Sequence, residues 1–253
     1  MTQIINDTIE LENTKTVIEN RVNEIRTNLL KCADSKNGYL HFAKNFFHIQ
    51  HPIRGKIKFD PYIHQTNLLK SMHEYCRNIN ELPRQSGKST CETVYLLWYA
   101  MFVPNSTIVV AGHNPHSVRE IMRHIQYAYN ACPDYIRCGV TDIDKMRISF
   151  DNGSNIQVES LTETISRGRK ISILCLDEYA WAPTEVVSKF WASLSLTLDT
   201  IDKIIITSTS CPEDSENHFA SILEGSQDFS YQIDKEKSNS IGRNGFHGYR
   251  VQW

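Results

Sequence analysis

The feature that most constrains the fold is the segment LPRQSGKST at 82–90, which stands between a short strand-like stretch at 78–82 and a helical pattern. In that pattern, apolar side chains recur at spacings of three and four residues from Val94 to Phe102, and Pro104 ends it. A tight turn at the start of a helix presents backbone N–H groups that bind phosphate. The segment therefore predicts a phosphate-binding loop in a sheet whose strands alternate with helices.

The residue types in this loop suit phosphate chemistry. Gly87 permits close approach of the backbone to phosphate oxygens, Lys88 can neutralise the β- and γ-phosphates, and Ser89 can ligate Mg²⁺. Leu82 occupies the first glycine position of the usual pattern GxxxxGK[ST], so the match fails at one residue. The alternative is a solvated turn that opens a helix. The other loop residues expected to contact a nucleotide are Arg84, Gln85, Ser86 and Thr90.

A second motif lies about 90 residues downstream, where the apolar run 171–176 ends in Asp177 and Glu178. Ligands of open α/β sheets bind at the carboxyl ends of the strands, so Asp177 is expected to reach the Mg²⁺ shell. Glu178 is expected to orient or deprotonate an attacking water. The alternative is an exposed acid pair at a strand end, but the upstream GKS sequence favours the catalytic interpretation.

A third motif follows the apolar run Ile204–Ile206, which leads into small hydroxyl residues. At the carboxyl edge of a sheet, the side chains of Thr207, Ser208 and Thr209 can sense a γ-phosphate. A simple exit from a strand, with side-chain caps, is the alternative.

Further segments continue the alternation of strands and helices. They are a strand at 107–111, a helix at about 118–131 with a capping box from Ser117 to Glu120, a hairpin of 147–150 with 155–159, a helix at about 184–195 and a strand at 203–206. The fold class predicted from them is α/β, with a mostly parallel central sheet covered by helices on both faces.

Upstream of the loop, two more helices are expected. The spacing of apolar residues predicts one at about 14–32, ended by Asn37 and Gly38. The other is expected to follow Asp60 as N-cap and to run to about Arg77.

Composition limits the partners. The formal charge of −2 means that a nucleic acid would have to be held by a local basic patch. No run approaches the roughly 18 to 20 apolar residues of a membrane span, and the N-terminus has no signal-peptide core, so a soluble intracellular protein without a membrane partner is expected. The seven cysteines include no CxxC pair, which argues against a disulfide framework or zinc finger.

The motifs RQSGKST, ILCLDE and TSTS in this order, with FDPYIHQ upstream and SRGRK before the acidic strand, resemble the ATPase domain of the large terminase subunit of tailed bacteriophages. The resemblance covers about residues 40–225, and the aromatic stretch FAKNFFHI resembles the myovirus branch. It implies a P-loop NTPase fold of the additional-strand type. Departure from GxxxxGK[ST] is usual in that family.

The resemblance also implies roles for individual residues. Arg84 matches a candidate arginine finger, and Arg167 matches an arginine proposed to reach the ATP of a neighbouring subunit. Tyr62 and Gln65 match the glutamine motif that would contact adenine and select ATP.

By the same resemblance, the expected function is hydrolysis of ATP with Mg²⁺ to drive double-stranded DNA into a procapsid. The implied partners are double-stranded DNA, the portal protein and the small terminase subunit, in the host cytoplasm, with a homo-oligomeric ring when assembled and a monomer when isolated. The expected organisation is a helical lead-in segment at 1–55, a P-loop ATPase core at 56–225 and a segment at 226–253 leading to a linker, without the family's nuclease domain.

Three alternatives remain open from the residues alone. A helicase-like or DNA-remodelling ATPase would use the same motifs, and a nucleotide-gated DNA-binding module would bind ATP without turnover. A small-molecule kinase is disfavoured because Glu178, as a water-activating group, would waste ATP.

Overall fold

The computed structural model describes residues 2–51, 53–165, 169–195, 198–211, 217–226 and 241–251. The helices are α1 Thr2–Cys32, α2 Gly38–Asn45, α3 Ile63–Glu74, α4 Lys88–Phe102, α5 Pro115–Ala131, α6 Thr184–Ser195 and α7 His218–Gly225. The strands are β1 His48–His51, β2 Gly55–Lys58, β3 Arg77–Glu81, β4 Thr107–Gly112, β5 Val140–Ile143, β6 Arg147–Phe150, β7 Asn155–Ser160, β8 Ile173–Asp177, β9 Lys203–Ser208 and β10 His247–Arg250.

Within these ranges, one eight-stranded sheet has the order β10-β3-β9-β8-β4-β7-β6-β5. Neighbours from β10 to β7 are parallel, and β6 and β5 add an antiparallel edge. Strand β9 lies between β3, which leads into the phosphate-binding loop, and β8, which ends in Asp177. This is the additional strand expected of the fold, so the predicted α/β class with a mostly parallel sheet is confirmed.

Both faces of the sheet are buried. On β4, Ile108 and Val110 join a core with α2, α3, α4 and α5, whereas Val109 and Ala111 join a second core with α6 and α7. Side chains alternate across a strand, so a strand covered on both faces is usually apolar along its whole length. This explains why the apolar runs of the sequence became the central strands.

The ends of three helices differ from the sequence predictions. The chain leaves α1 at Cys32, whose carbonyl accepts a hydrogen bond from Trp98 Nε1 at 2.8 Å, and Gly38 begins α2 rather than ending α1. Helix α3 is capped by Tyr62, not Asp60, because the Tyr62 N–H donates to Gln65 Oε1 at 3.0 Å. Helix α5 begins at Pro115, because Asn114 Oδ1 accepts from the backbone N–H two residues later.

Four strands were not expected from the sequence: β1 and β2, which pair with each other in a separate antiparallel sheet, and β5 and β10 of the eight-stranded sheet. Strand β5 is largely exposed, and β10 pairs in parallel with β3 although it lies beyond the predicted core at 56–225. Neither strand contains an apolar run. Within the described ranges, no helix has both the length and the apolar character needed to cross a bilayer.

Candidate active site

The phosphate-binding loop connects the end of β3 to the start of α4. Its backbone is left-handed at Gln85, with φ of 64°, and at Gly87, with φ of 82°. The left-handed backbone at position 87 favours glycine, and a Cβ atom there would lie 2.2 Å from Gln65 Nε2, so the Gln65 side chain would have to move. Leu82, at the first glycine position of the usual pattern, is buried, and its N–H donates to the Ser208 carbonyl at 3.1 Å. That position therefore continues the sheet toward β9.

A side chain from α3 supports the loop from behind. Gln65 is buried, and its Nε2 donates to the Ser86 carbonyl at 3.0 Å while its Oε1 accepts from Tyr62. The Tyr62 ring is 70% exposed and stacks on His64 at 5.7 Å. The described residues that line the cleft above the loop include neither Tyr62 nor Gln65. Recognition of adenine by these two residues stays a prediction.

The cleft has a volume of about 550 Å³. One wall is the loop from Pro83 to Thr90. The opposite wall is formed by His113, Glu178, Trp181 and Thr209, which follow β4, β8 and β9. The parallel strands thus bring all three predicted motifs to one edge of the sheet, as expected.

At the base of the cleft lies a buried cluster of opposite charges. Lys88 Nζ is 2.5 Å from Asp177 Oδ1 and 3.0 Å from Glu178 Oε1. Burial alone would lower the pKa of Lys88, but the charges of Glu92, Asp177 and Glu178 outweigh burial and raise that pKa. Lys88 is therefore a permanent cation facing the cleft, as phosphate neutralisation requires.

Glu178 is held in a defined orientation by the end of β9. Its backbone is left-handed, with φ of 51°, and its Oε2 accepts from the Thr209 N–H at 3.2 Å and lies 3.3 Å from the hydroxyls of both Ser208 and Thr209. Burial raises the pKa of Glu178, but the Lys88 ammonium and the Thr209 hydrogen bonds together hold it below its ordinary value. The carboxylate is thus ionised at neutral pH, the state a base needs.

Thr207 does not reach the cleft, unlike Thr209. It is fully buried, and its hydroxyl donates a hydrogen bond to Glu92 Oε1 on α4. Side chains alternate along a strand, so Thr207 faces the helix that follows the loop. Thr207 is therefore not among the described residues that line the cleft, and its predicted contact with a nucleotide stays a prediction.

The two predicted arginines differ in what the structure shows. The Arg84 guanidinium lies over the Trp181 ring, 5.6 Å from its centroid, and Trp181 Nε1 donates to Thr209 Oγ1 at 2.9 Å. Arg167 lies outside the described residues. The nearby Arg169 forms an ion pair with Glu159 at 2.8 Å.

Three residues at or beneath the cleft were missed from the sequence. Glu92 gave a signal, because it is a lone acid on the apolar α4. Trp181 gave no signal in the sequence apart from its position three residues after Glu178. His113 lines the cleft because it directly follows β4.

The fold and the cleft together define a P-loop protein with an additional strand. A family model for the N-terminal part of the large terminase subunit of T4-like viruses matches residues 79–232, which is more than half of the chain. The chain therefore belongs to this large terminase family, which confirms the resemblance predicted from the sequence.

Solved structures share the fold at low sequence identity. The ATPase domain of the large terminase of Thermus phage P74-26 is 18% identical, with a TM-score of 0.54 over 76% of this chain and 81% of that one. The HK97 bacteriophage large terminase is 14% identical, with a TM-score of 0.57 over 74% of this chain and 40% of that one. A large terminase from a thermophilic bacteriophage, solved in complex with ADP, is 16% identical, with a TM-score of 0.51 over 76% of this chain and 46% of that one.

The chain thus spans less than half of the HK97 large terminase and of the ADP-bound large terminase, and most of the P74-26 ATPase domain. Its fold is that of a terminase ATPase domain, and the predicted enzyme class, an ATPase, agrees with this family and fold.

Proposed function

We propose that the cleft binds Mg²⁺·ATP and hydrolyses it, and that hydrolysis powers the movement of double-stranded DNA into a procapsid. The observation that carries the proposal is the position of Lys88 Nζ, at the start of α4 and between the carboxylates of Asp177 and Glu178. A lysine and two acids converge where a helix N-terminus and a left-handed loop present backbone N–H groups. This combination suits a polyphosphate, a divalent ion and a water.

The residues present fit Mg²⁺. Ser89 and Asp177 offer hydroxyl and carboxylate oxygens, the donors that this ion prefers. Among the described residues, no group of three or more His, Cys, Asp or Glu forms a complete metal cage. Mg²⁺ commonly takes one or two carboxylates and completes its shell with phosphate oxygens and water. When bound, the ion would neutralise developing charge on the phosphates.

Each residue then has a stated task. Lys88 binds the β- and γ-phosphates, and the backbone of Gln85, Ser86, Gly87 and Thr90 lines the rest of the phosphate site. Glu178 orients the attacking water and accepts its proton. Ser208 and Thr209 contact the Glu178 carboxylate, so a movement of Glu178 when the γ-phosphate is lost would displace the end of β9.

Arginine would supply the remaining positive charge. Arg84, held on the rim of the cleft by the Trp181 ring, can act within its own subunit, and Arg167 is assigned to the ATP of a neighbouring copy. Tyr62 and Gln65 would contact the adenine.

The partners in this proposal are DNA, a portal protein, a small terminase subunit and further copies in a ring, in the host cytoplasm. The division of the chain into a lead-in segment at 1–55, an ATPase core at 56–225 and a C-terminal segment at 226–253 is part of the same proposal.

The decisive experiment measures phosphate release by the purified chain with ATP and Mg²⁺, with and without double-stranded DNA. The expected result is release that DNA stimulates and that Lys88→Ala removes. Nucleotide binding without release would instead support a nucleotide-gated DNA-binding module. Strand separation of a labelled duplex would support a helicase-like motor, and DNA protected from nuclease inside added procapsids would support packaging.

A further inference from the structure

Beneath the phosphate-binding loop lies an acid to which the proposed mechanism assigns no task. Glu92 is on α4, one turn after Lys88, and it is 1% exposed. The neighbouring buried positions of α4 are mostly apolar, among them Cys91, Val94 and Leu96. Burial of a carboxyl group is costly unless its oxygens are hydrogen-bonded. The need for a stable core therefore does not explain Glu92.

The two oxygens of this carboxyl differ. Oε1 accepts a hydrogen bond from the Thr207 hydroxyl on β9, whereas Oε2 is buried and has no hydrogen-bond partner among the described residues. An unsatisfied buried polar atom destabilises the folded state. Burial and the nearby Asp177 charge raise the pKa of Glu92, although Lys88 opposes this.

The partner of Glu92 is part of the catalytic strand end. Thr207 is followed directly by Ser208 and Thr209, the residues whose hydroxyl and N–H groups surround Glu178 Oε2. At the other end of the link, Glu92 is on the helix whose first residue is Lys88. The Glu92–Thr207 hydrogen bond therefore joins the element that would hold the phosphates to the element that holds the proposed base.

We propose that Glu92 is a positioning residue for ATP hydrolysis, and that its hydrogen bond to Thr207 sets the placement of Glu178 relative to a phosphate bound by Lys88. This inference rests on the function proposed above. Small displacements matter at such a site, since a misplacement of about 1 Å can cost about 10²-fold in rate. Glu92 is not among the described residues that line the cleft, so loss of the bond should lower kcat and leave nucleotide affinity nearly unchanged.

The test compares variants that keep or remove this hydrogen bond. Glu92→Leu and Thr207→Val remove it with little change in volume, and each should lower single-turnover kcat by about 10- to 100-fold with less than a threefold change in the Kd for ATP. Glu92→Gln retains an acceptor oxygen and Thr207→Ser a donor, so both should recover most of kcat. The double variant Glu92→Leu/Thr207→Val should be no slower than the worse single variant, because both changes break one bond.

A matched control separates positioning from stability. Ser154 is a buried hydroxyl that bonds to Ser106 and to the Val103 carbonyl, outside the cleft. Ser154→Ala should lower the melting temperature and leave kcat unchanged. If Glu92→Leu does not fold, the isosteric Thr207→Val tests the same bond.

Unchanged kcat in Glu92→Leu or Thr207→Val would overturn the inference. So would a Glu92→Gln variant as slow as Glu92→Leu, which would assign the effect to charge, or losses that add in the double variant. If the wild-type chain does not hydrolyse ATP, or if Lys88→Ala hydrolyses it equally well, the proposed function is overturned and the inference with it. If the wild-type chain and the Glu92→Leu variant hydrolyse ATP at the same rate, only the inference about Glu92 is overturned, and the proposed function stands.

Discussion

Two lysines are buried at opposite ends of the same sheet, and their surroundings differ. Lys88, at the carboxyl end, faces Asp177 and Glu178, and nearby carboxylates raise its pKa. Lys203, the first residue of β9 at the amino end, donates to the carbonyls of His73 and Tyr75, at 3.1 and 2.6 Å. There burial lowers the pKa to about 8.

The difference separates a binding site from a structural contact. At the amino end, the lysine satisfies carbonyls where α3 ends, and its bonds are completed within the fold. At the carboxyl end, the charges meet beside an open cleft, where a phosphate can compete with the carboxylates for Lys88. Left-handed backbone at Gln85 and Glu178 accompanies the second arrangement.

Removing the two lysine charges one at a time tests whether Lys88 and Lys203 differ in function. Lys88→Met should lower ATP turnover by at least about 10²-fold, the usual loss when an electrostatic contact to the transition state is removed. Lys203→Met should leave turnover within about twofold of wild type. Both are measured by phosphate release on folded protein, and equal losses would show that the two lysines do not differ in function.

The pH dependence of the free energy of unfolding tests the structural role of Lys203. The folded pKa of Lys203 is about 8 and the ordinary value is 10.5, so between these pH values the unfolded chain binds a proton that the folded chain does not. Stability then rises with pH. From pH 8 to 10.5, wild type should gain up to about 3 kcal/mol relative to Lys203→Met. Urea unfolding at a series of pH values measures this gain, and a constant difference would contradict the assignment.

A smaller effect is expected at the rim of the cleft. Trp181→Ala removes both the ring beneath Arg84 and the N–H donor to Thr209. It should lower turnover by about 10- to 30-fold, since cation–π and hydrogen-bond contacts are each worth about 1 kcal/mol. Trp181→Phe keeps the ring face and should lose less. Trp191→Phe, on α6 away from the cleft, is the matched control and should match wild type. Full activity of Trp181→Ala would show that this contact has no role.

The sequence predicted the parts of the site that depend on neighbours along the chain. The loop from Arg84 to Thr90 was recognisable by its GKST sequence. The acid pair at the end of β8 and the hydroxyl residues at the end of β9 were recognisable because each follows an apolar run, and parallel strands end at the ligand-binding edge. The additional strand of the sheet followed from the family resemblance.

The remainder depends on contacts between distant positions. The bond between Glu92 and Thr207 and the stacking of Arg84 on Trp181 join residues far apart in the chain, so no local pattern announces them. Strand β10 was missed because edge pairing with β3 requires no apolar run. The start of α3 was misplaced because the Gln65 side chain, rather than Asp60, satisfies the exposed N–H.

The role of Glu178 as the base is tested most directly by Glu178→Gln. Glutamine keeps the size of the side chain and an oxygen that can accept from the Thr209 N–H, but it cannot accept the proton of water. We predict that this variant binds a fluorescent ATP analogue with a Kd within about threefold of wild type and loses at least about 10²-fold in single-turnover hydrolysis. Lys88→Ala, measured alongside, should lose both binding and hydrolysis. Hydrolysis by Glu178→Gln at the wild-type rate would contradict the account.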